Sequence, residues 1–209
     1  MCYAVKQLSQ AMVRPTKLYS KVAKNILRYL RGTKFGLWYI LIAGVKLQGF
    51  TDVDLVGSPS NRKSTSGGFF IIGSAKISWY NRKHRSVALS STEAEYMATS
   101  QVACEAIWMR KILVGLFGQQ MDLIVIYRDN PSCIKVSENP VFHDRSKDID
   151  IQYHHLKDCV LRQIMFLDYI PTEEQDANIL TKALSRCKFE FYRDMIAVVD
   201  NPYLVEREC

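Results

Sequence analysis

Residues 46–55 read KLQGFTDVDL, and the reading of this stretch decides the fold. Leu47, Gly49, Thr51, Val53 and Leu55 alternate with Phe50, Asp52 and Asp54, a period of two that predicts a β-strand. Asp52 and Asp54 then share one face of that strand. In a half-buried strand such a pair is ordinarily the side that faces water, so the segment alone does not assign them chemistry. The polar run SPSNRKSTSGG follows, then FFIIG, the turn GSAK and ISWYN, which predict a hairpin. Lys76, Arg82, Lys83 and Arg85 make this hairpin basic toward its exit.

A long helix is predicted over 92–116, where Ala94, Met97, Ala98, Val102, Trp108, Met109, Ile112, Leu113 and Leu116 form one apolar arc. At about 100° per residue, Glu95 falls on the edge of that arc and can look toward the sheet. Glu93 falls roughly 160° away and is expected to face water. Both glutamates also fit a capping box, Ser90-x-x-Glu93 and Thr92-x-x-Glu95, so capping accounts for one of them. Glu105 projects into the apolar arc and requires a partner the sequence does not name. Trp79 and Trp108 are expected in the core.

The apolar strand LIVIY ends at Arg128 and Asp129, at the carboxyl end where open α/β sheets form their ligand crevice. Helices near 150–164 and 177–184, separated by the short strand FLDYI, complete a pattern of strands alternating with helices. The expected class is a mixed α/β sheet covered by helices. Three carboxylates, Asp52, Glu95 and Asp129, would converge on one crevice and repel one another unless a cation sat between them. Such a set suits Mg²⁺-assisted phosphodiester hydrolysis.

The rest of the 209 residues is consistent with this. The composition, 48% hydrophobic and 23% charged, is globular, and no low-complexity tract or repeat is visible. No run reaches the roughly 18 apolar residues of a membrane span, and MCYAVKQLSQ lacks the apolar stretch of a secretory signal. Six scattered cysteines (Cys2, Cys104, Cys133, Cys159, Cys187, Cys209) show no metal spacing and point to a reducing intracellular compartment. Residues 1–50 hold nine Lys or Arg and no acid, whereas the remainder carries 19 basic and 21 acidic groups. That asymmetry fits a segment meeting a nucleic-acid backbone or, equally, a solvated basic helix over 16–31.

The strings GFTDVDLVG, NRKSTSGGFFIIG, ISWYNRKHRSVALSSTEAEYMA, IYRDN, NPVFHDRSKDIDIQYH, YIPTEEQ and ILTKAL occur in that order. Together they resemble the ribonuclease H domain of the Pol polyprotein of copia-type LTR retrotransposons, of plant type. The resemblance covers residues 46 to about 196, with 1–45 resembling the tail of the reverse transcriptase in front and 197–209 left as a C-terminal tail. It implies an α/β ribonuclease H-like fold with a five-stranded mixed sheet and helices on both faces. It also implies hydrolysis of the RNA strand of RNA–DNA hybrids with two Mg²⁺ ions, Mn²⁺ substituting. The implied partners are the hybrid and the polymerase part of the same polyprotein, in a cytoplasmic virus-like particle or the nucleus.

The family's four metal-binding carboxylates fall on Asp52, Glu95, Asp129 and, just before ILTKAL, on Asn178. Asparagine there offers a carbonyl oxygen but no charge, so a second ion should bind more weakly. Asp176 is nearby but lies about 200° round the helix. Two further departures are Asp148, where the family has His, and residues 58–61, which lack the family's acids. A hybrid is gripped through phosphate and 2′-OH contacts. Arg82, Lys83 and Arg85 are the better candidates for this, while Arg62 and Lys63 fit phosphate contact and a solvated loop equally well. The alternative function is a catalytically impaired fragment that binds nucleic acid without turnover. A third reading is a basic binding module centred on residues 1–50.

Overall fold

The computed structural model describes residues 1–40, 46–55, 62–118, 122–131, 134 and 147–201. Residues 58–61, Cys133, Cys209 and the side chain of Asp148 lie outside the described residues. Seven strands are described: β1 (Phe35–Leu37), β2 (Leu47–Asp54), β3 (Thr65–Ile72), β4 (Ala75–Lys83), β5 (Ile124–Arg128), β6 (Met165–Tyr169) and β7 (Val198–Asp200). The described α-helices are α1 (Cys2–Ser9), α2 (Lys17–Arg31), α3 (Ser91–Phe117), α4 (Lys147–Leu161), α5 (Asn178–Thr181) and α6 (Arg186–Met195).

β2 to β6 form one five-stranded sheet in the order β4-β3-β2-β5-β6. The β2/β3 and β3/β4 pairs are antiparallel, whereas β2/β5 and β5/β6 are parallel. The hairpin turn between β3 and β4 passes through Gly73 at φ +61°, a conformation glycine adopts without steric cost. This mixed sheet is the ribonuclease H-like architecture expected from the sequence.

Strand alternation sends neighbouring side chains to opposite faces. Phe70 is buried with Tyr96, Val102, Ile124, Ile126 and Leu156 beneath α3 and α4. Phe69, one residue earlier, is buried with Ala177, Ile179, Leu180 and Tyr192 beneath α5 and α6. Helices therefore cover both faces. The small residues Ala94 and Ala98 pack on Val53, which seats the first turns of α3 against β2.

Several expectations are corrected. Residues 177–184 do not form one helix: α5 ends at Thr181, Lys182 is extended, and Ser185 caps α6 through its side chain. Trp79 and Trp108 are more than half exposed, on the edge strand and on the outer side of α3. Two elements went unread in the sequence: the helix α1, and the pairing of β1 with β7 in a separate two-stranded sheet. Through that pairing and Lys6, whose ammonium donates to Thr65, residues 1–37 contact the rest of the chain. Among the described residues no helix is long and apolar enough to cross a membrane.

Candidate functional site

Asp52 lies near the end of β2, where the sequence alone suggested a wet face. It is instead 2% exposed. The hydroxyl of Thr181 donates to its Oδ2, and the Lys182 ammonium stands 3.1 Å from its Oδ1. The cover comes from the chain around α5. Gln175, fully buried, donates to the carbonyls of Thr51 (3.0 Å) and Tyr127 (3.4 Å), which ties this segment across the ends of β2 and β5. Asn81 donates to the Leu180 carbonyl from β4.

The two glutamates of α3 divide their tasks. Ser90 is the N-cap and accepts from the Glu93 amide at 3.1 Å, while the Glu93 carboxylate turns back to accept from the Leu89 amide at 2.5 Å. Capping thus engages Glu93, which is buried rather than facing water as its helix angle suggested. Glu95 is left for other use. It is buried, and its Oε2 accepts from the fully buried Arg128 guanidinium at 2.5 Å.

Asp129 follows β5 immediately and is half-buried. Asp52 and Asp129 both lie within electrostatic reach of Glu95. The Glu95 carboxyl is pushed up to about 7, chiefly by burial; the charges of Asp52 and Asp129 add to the rise, and Arg128 works against it. A cation placed among the three would relieve that repulsion.

The fourth position differs. Asn178 is 3% exposed, and its Nδ2 donates to the Thr172 carbonyl (2.9 Å) and to the Tyr192 hydroxyl (3.2 Å). Its Oδ1 accepts from the Lys182 ammonium, the same group that pairs with Asp52. Asp176 is turned away and pairs with Lys76 at 3.7 Å.

Two acidic side chains of this set are already engaged, Asp52 by Thr181 and Lys182 and Glu95 by Arg128. Asp52, Glu95 and Asp129 carry carboxylate oxygens, the ligand type that Mg²⁺ prefers. Between Asp52 and Asn178 an ammonium already stands. Among the described residues no cluster of three or more His, Cys, Asp or Glu is arranged as a ready metal cage.

The proposed nucleic-acid contacts gather at one end of the edge hairpin, because β3 and β4 pair Thr65 with Lys83. Lys63 donates to the Arg85 carbonyl at 2.5 Å, which joins the two loops. Arg62 and Arg85 are exposed. Arg82 pairs with Glu105 at 3.6 Å, the partner that the sequence left unnamed, and lies over the Tyr80 ring. Lys83 donates to Gln10 of the segment after α1 at 3.2 Å. Sequence reasoning missed Arg128, Gln175, Thr181 and Lys182; the strings YRDN, TEEQ and ILTKAL that contain them were the available signal.

No family model matches the chain. It is 36% identical over 201 residues to the retrovirus-related Pol polyprotein from transposon TNT 1-94 of Nicotiana tabacum, covering 96% of this chain and 15% of that protein. It is also 36% identical over 201 residues to the retrovirus-related Pol polyprotein from transposon RE1 of Arabidopsis thaliana, covering 96% and 14% respectively. The chain thus spans about a seventh of the length of these relatives. Among solved structures it is similar to the N-terminal RNase H domain of Rv2228c from Mycobacterium tuberculosis, with 11% identity and a TM-score of 0.48, covering 74% of this chain and all of that one. The chain is thus similar over nearly its whole length to a segment of the retrovirus-related Pol polyproteins of plant transposons, and its strands β2 to β6 have the ribonuclease H-like arrangement that the motifs predicted.

Proposed function

We propose that this domain hydrolyses the RNA strand of RNA–DNA hybrids during reverse transcription, with Mg²⁺ held by Asp52, Glu95 and Asp129. The observation that supports the reading is that buried Glu95 on α3 feels the charges of both Asp52 on β2 and Asp129 at the end of β5. A divalent ion bound there supplies an activated water and neutralises charge at the phosphate. The chain's own part is positional. Gln175 holds the ends of β2 and β5 in register, Arg128 fixes the Glu95 carboxylate, and Thr181 orients that of Asp52. Arg62, Lys63, Arg82, Lys83 and Arg85 grip the hybrid's backbone from the edge hairpin, where neutralised phosphates supply affinity without sequence preference.

The polymerase part of the polyprotein is the proposed partner of α2. Leu18, Leu27 and Leu30 on that helix are 67%, 65% and 52% exposed, and no residue of α2 is buried. A second reading, binding without turnover, is favoured by one observation: Asn178 stands at the fourth carboxylate position and is hydrogen-bonded as an amide.

The deciding experiment is cleavage of a labelled RNA–DNA hybrid in Mg²⁺ or Mn²⁺ by the native chain, Asp52→Asn and Asn178→Asp. Cutting by the native chain that Asp52→Asn abolishes is the expected result. Hybrid binding by a folded native chain that never cuts would establish the second reading.

A further inference from the structure

We infer that the Lys182 ammonium is a tethered cation standing in for a second metal ion, so that the site takes a single divalent ion. One nitrogen touches Oδ1 of Asp52, at 3.1 Å, and Oδ1 of Asn178. Those two oxygens come from residues 126 positions apart, the two positions that the family resemblance assigns to metal-binding carboxylates on this side. A positive charge already placed between them removes the anionic field that would draw a second ion, and it repels any ion that approaches.

The neighbouring contacts support this assignment. Asn178 cannot turn its amide to offer more to a metal, because Nδ2 is engaged by Thr172 and Tyr192, leaving Oδ1 for Lys182 alone. Thr181, the residue before Lys182, donates to the other oxygen of Asp52. Asp52 thus has one oxygen on a hydroxyl and one on an ammonium, both delivered by consecutive residues at the end of α5. The remaining lone pairs of Asp52, with Glu95 and Asp129, are left for the one ion, Glu95 being held by Arg128. The lysine side chain is 38% exposed, so the ammonium is reachable from solvent and can be replaced without opening a core cavity.

The inference rests on the reading of Asp52, Glu95 and Asp129 as an ion site, and it is tested on ion binding without nucleic acid. Mn²⁺ bound at equilibrium is counted by electron paramagnetic resonance for the native full chain, Lys182→Met, Lys182→Gln and Lys182→Arg, with thermal melts in parallel. The native chain and Lys182→Arg are expected to bind one ion. Lys182→Met and Lys182→Gln should bind the ion roughly tenfold more tightly or gain a second one, and their melting temperatures should rise more steeply with Mn²⁺. The neutral pair guards against one variant failing to fold. Two ions on the native chain, or equal count and affinity with and without the ammonium, would overturn the inference alone. No Mn²⁺ on any of the four proteins would overturn both it and the ion-dependent reading beneath it.

Discussion

Gly67 on β3 lies directly across the ladder from Asp52 on β2, and Thr181 fills the space a side chain at position 67 would need. A Cβ built on Gly67 would come within 2.6 Å of Thr181 Cγ2 and 2.9 Å of Leu180 Cβ. The missing side chain is what lets α5 reach the Asp52 carboxylate. Gly67→Ala should therefore lift α5, cost about 1–3 kcal/mol of stability, and break the Thr181 hydrogen bond to Asp52. Urea unfolding and hybrid cleavage of the variant check this. Native stability with alanine in place would show that α5 is not seated as described.

Lys76 and Asp176 form a buried pair whose two partners are each only 5% exposed. Burial pushes the Lys76 ammonium down to about 8 despite Asp176, and pushes the Asp176 carboxyl up despite Lys76. Both shifts run against the charged form, so the attraction does not repay the loss of water. Either single change, Lys76→Met or Asp176→Leu, should cost about 3–5 kcal/mol by leaving one buried charge alone. The double change should return to within about 1 kcal/mol of native, since Lys76 already lies over the Phe69 ring where a methionine packs well. A double variant as unstable as the sum of the singles would show that the pair is net stabilising.

Glu95 gives the fold a slope in pH. Its native carboxyl holds its proton up to about 7, whereas an ordinary glutamate releases it near 4.5. Between those values the native state binds more protons than the unfolded chain, so stability falls as pH rises, by about 3 kcal/mol in all if this group acts alone. Glu95→Gln removes the slope. In ion-free buffer its stability relative to the native chain should improve steadily from pH 5 to pH 8, whatever the constant cost of leaving Arg128 beside an amide. A difference that does not change with pH would contradict the assigned shift.

The elements that carry the three carboxylates were legible because each is regular and its period can be counted. A period of two placed Asp52 on β2, 100° steps turned Glu95 toward the sheet, and an apolar strand ended at Asp129. The same counting misplaced Glu93, because a helix angle says nothing of a side chain that folds back on its own N-terminus to accept from Leu89. It misplaced Trp79, since the pattern of β4 does not reveal that the strand is an edge. No countable period pointed to Lys182. Its meeting with Asp52 spans 130 residues and depends on Gln175 clipping the α5 segment across two strand ends, a tertiary fact with no local period. Asp52 itself read as a solvated acid for that reason, its cover being supplied from the far end of the chain.

Asn178 is fitted to its place as an amide, and restoring an acid there should cost stability before it helps any ion. Its Nδ2 donates at 2.9 Å to the Thr172 carbonyl. An ionised aspartate has no proton to donate, so Asn178→Asp sets an anionic oxygen against that carbonyl in a site 3% exposed. The lost bond and the two oxygens set against each other should cost about 1–3 kcal/mol at pH 7, with the Lys182 ammonium offsetting part of it. Below the carboxyl's own titration the protonated acid can donate to Thr172 again, so the deficit should shrink at pH 4. Urea unfolding of both proteins at the two pH values, in ion-free buffer, measures it. A variant at least as stable as the native chain at pH 7 would mean that the ammonium, rather than the amide hydrogen bonds, governs the position.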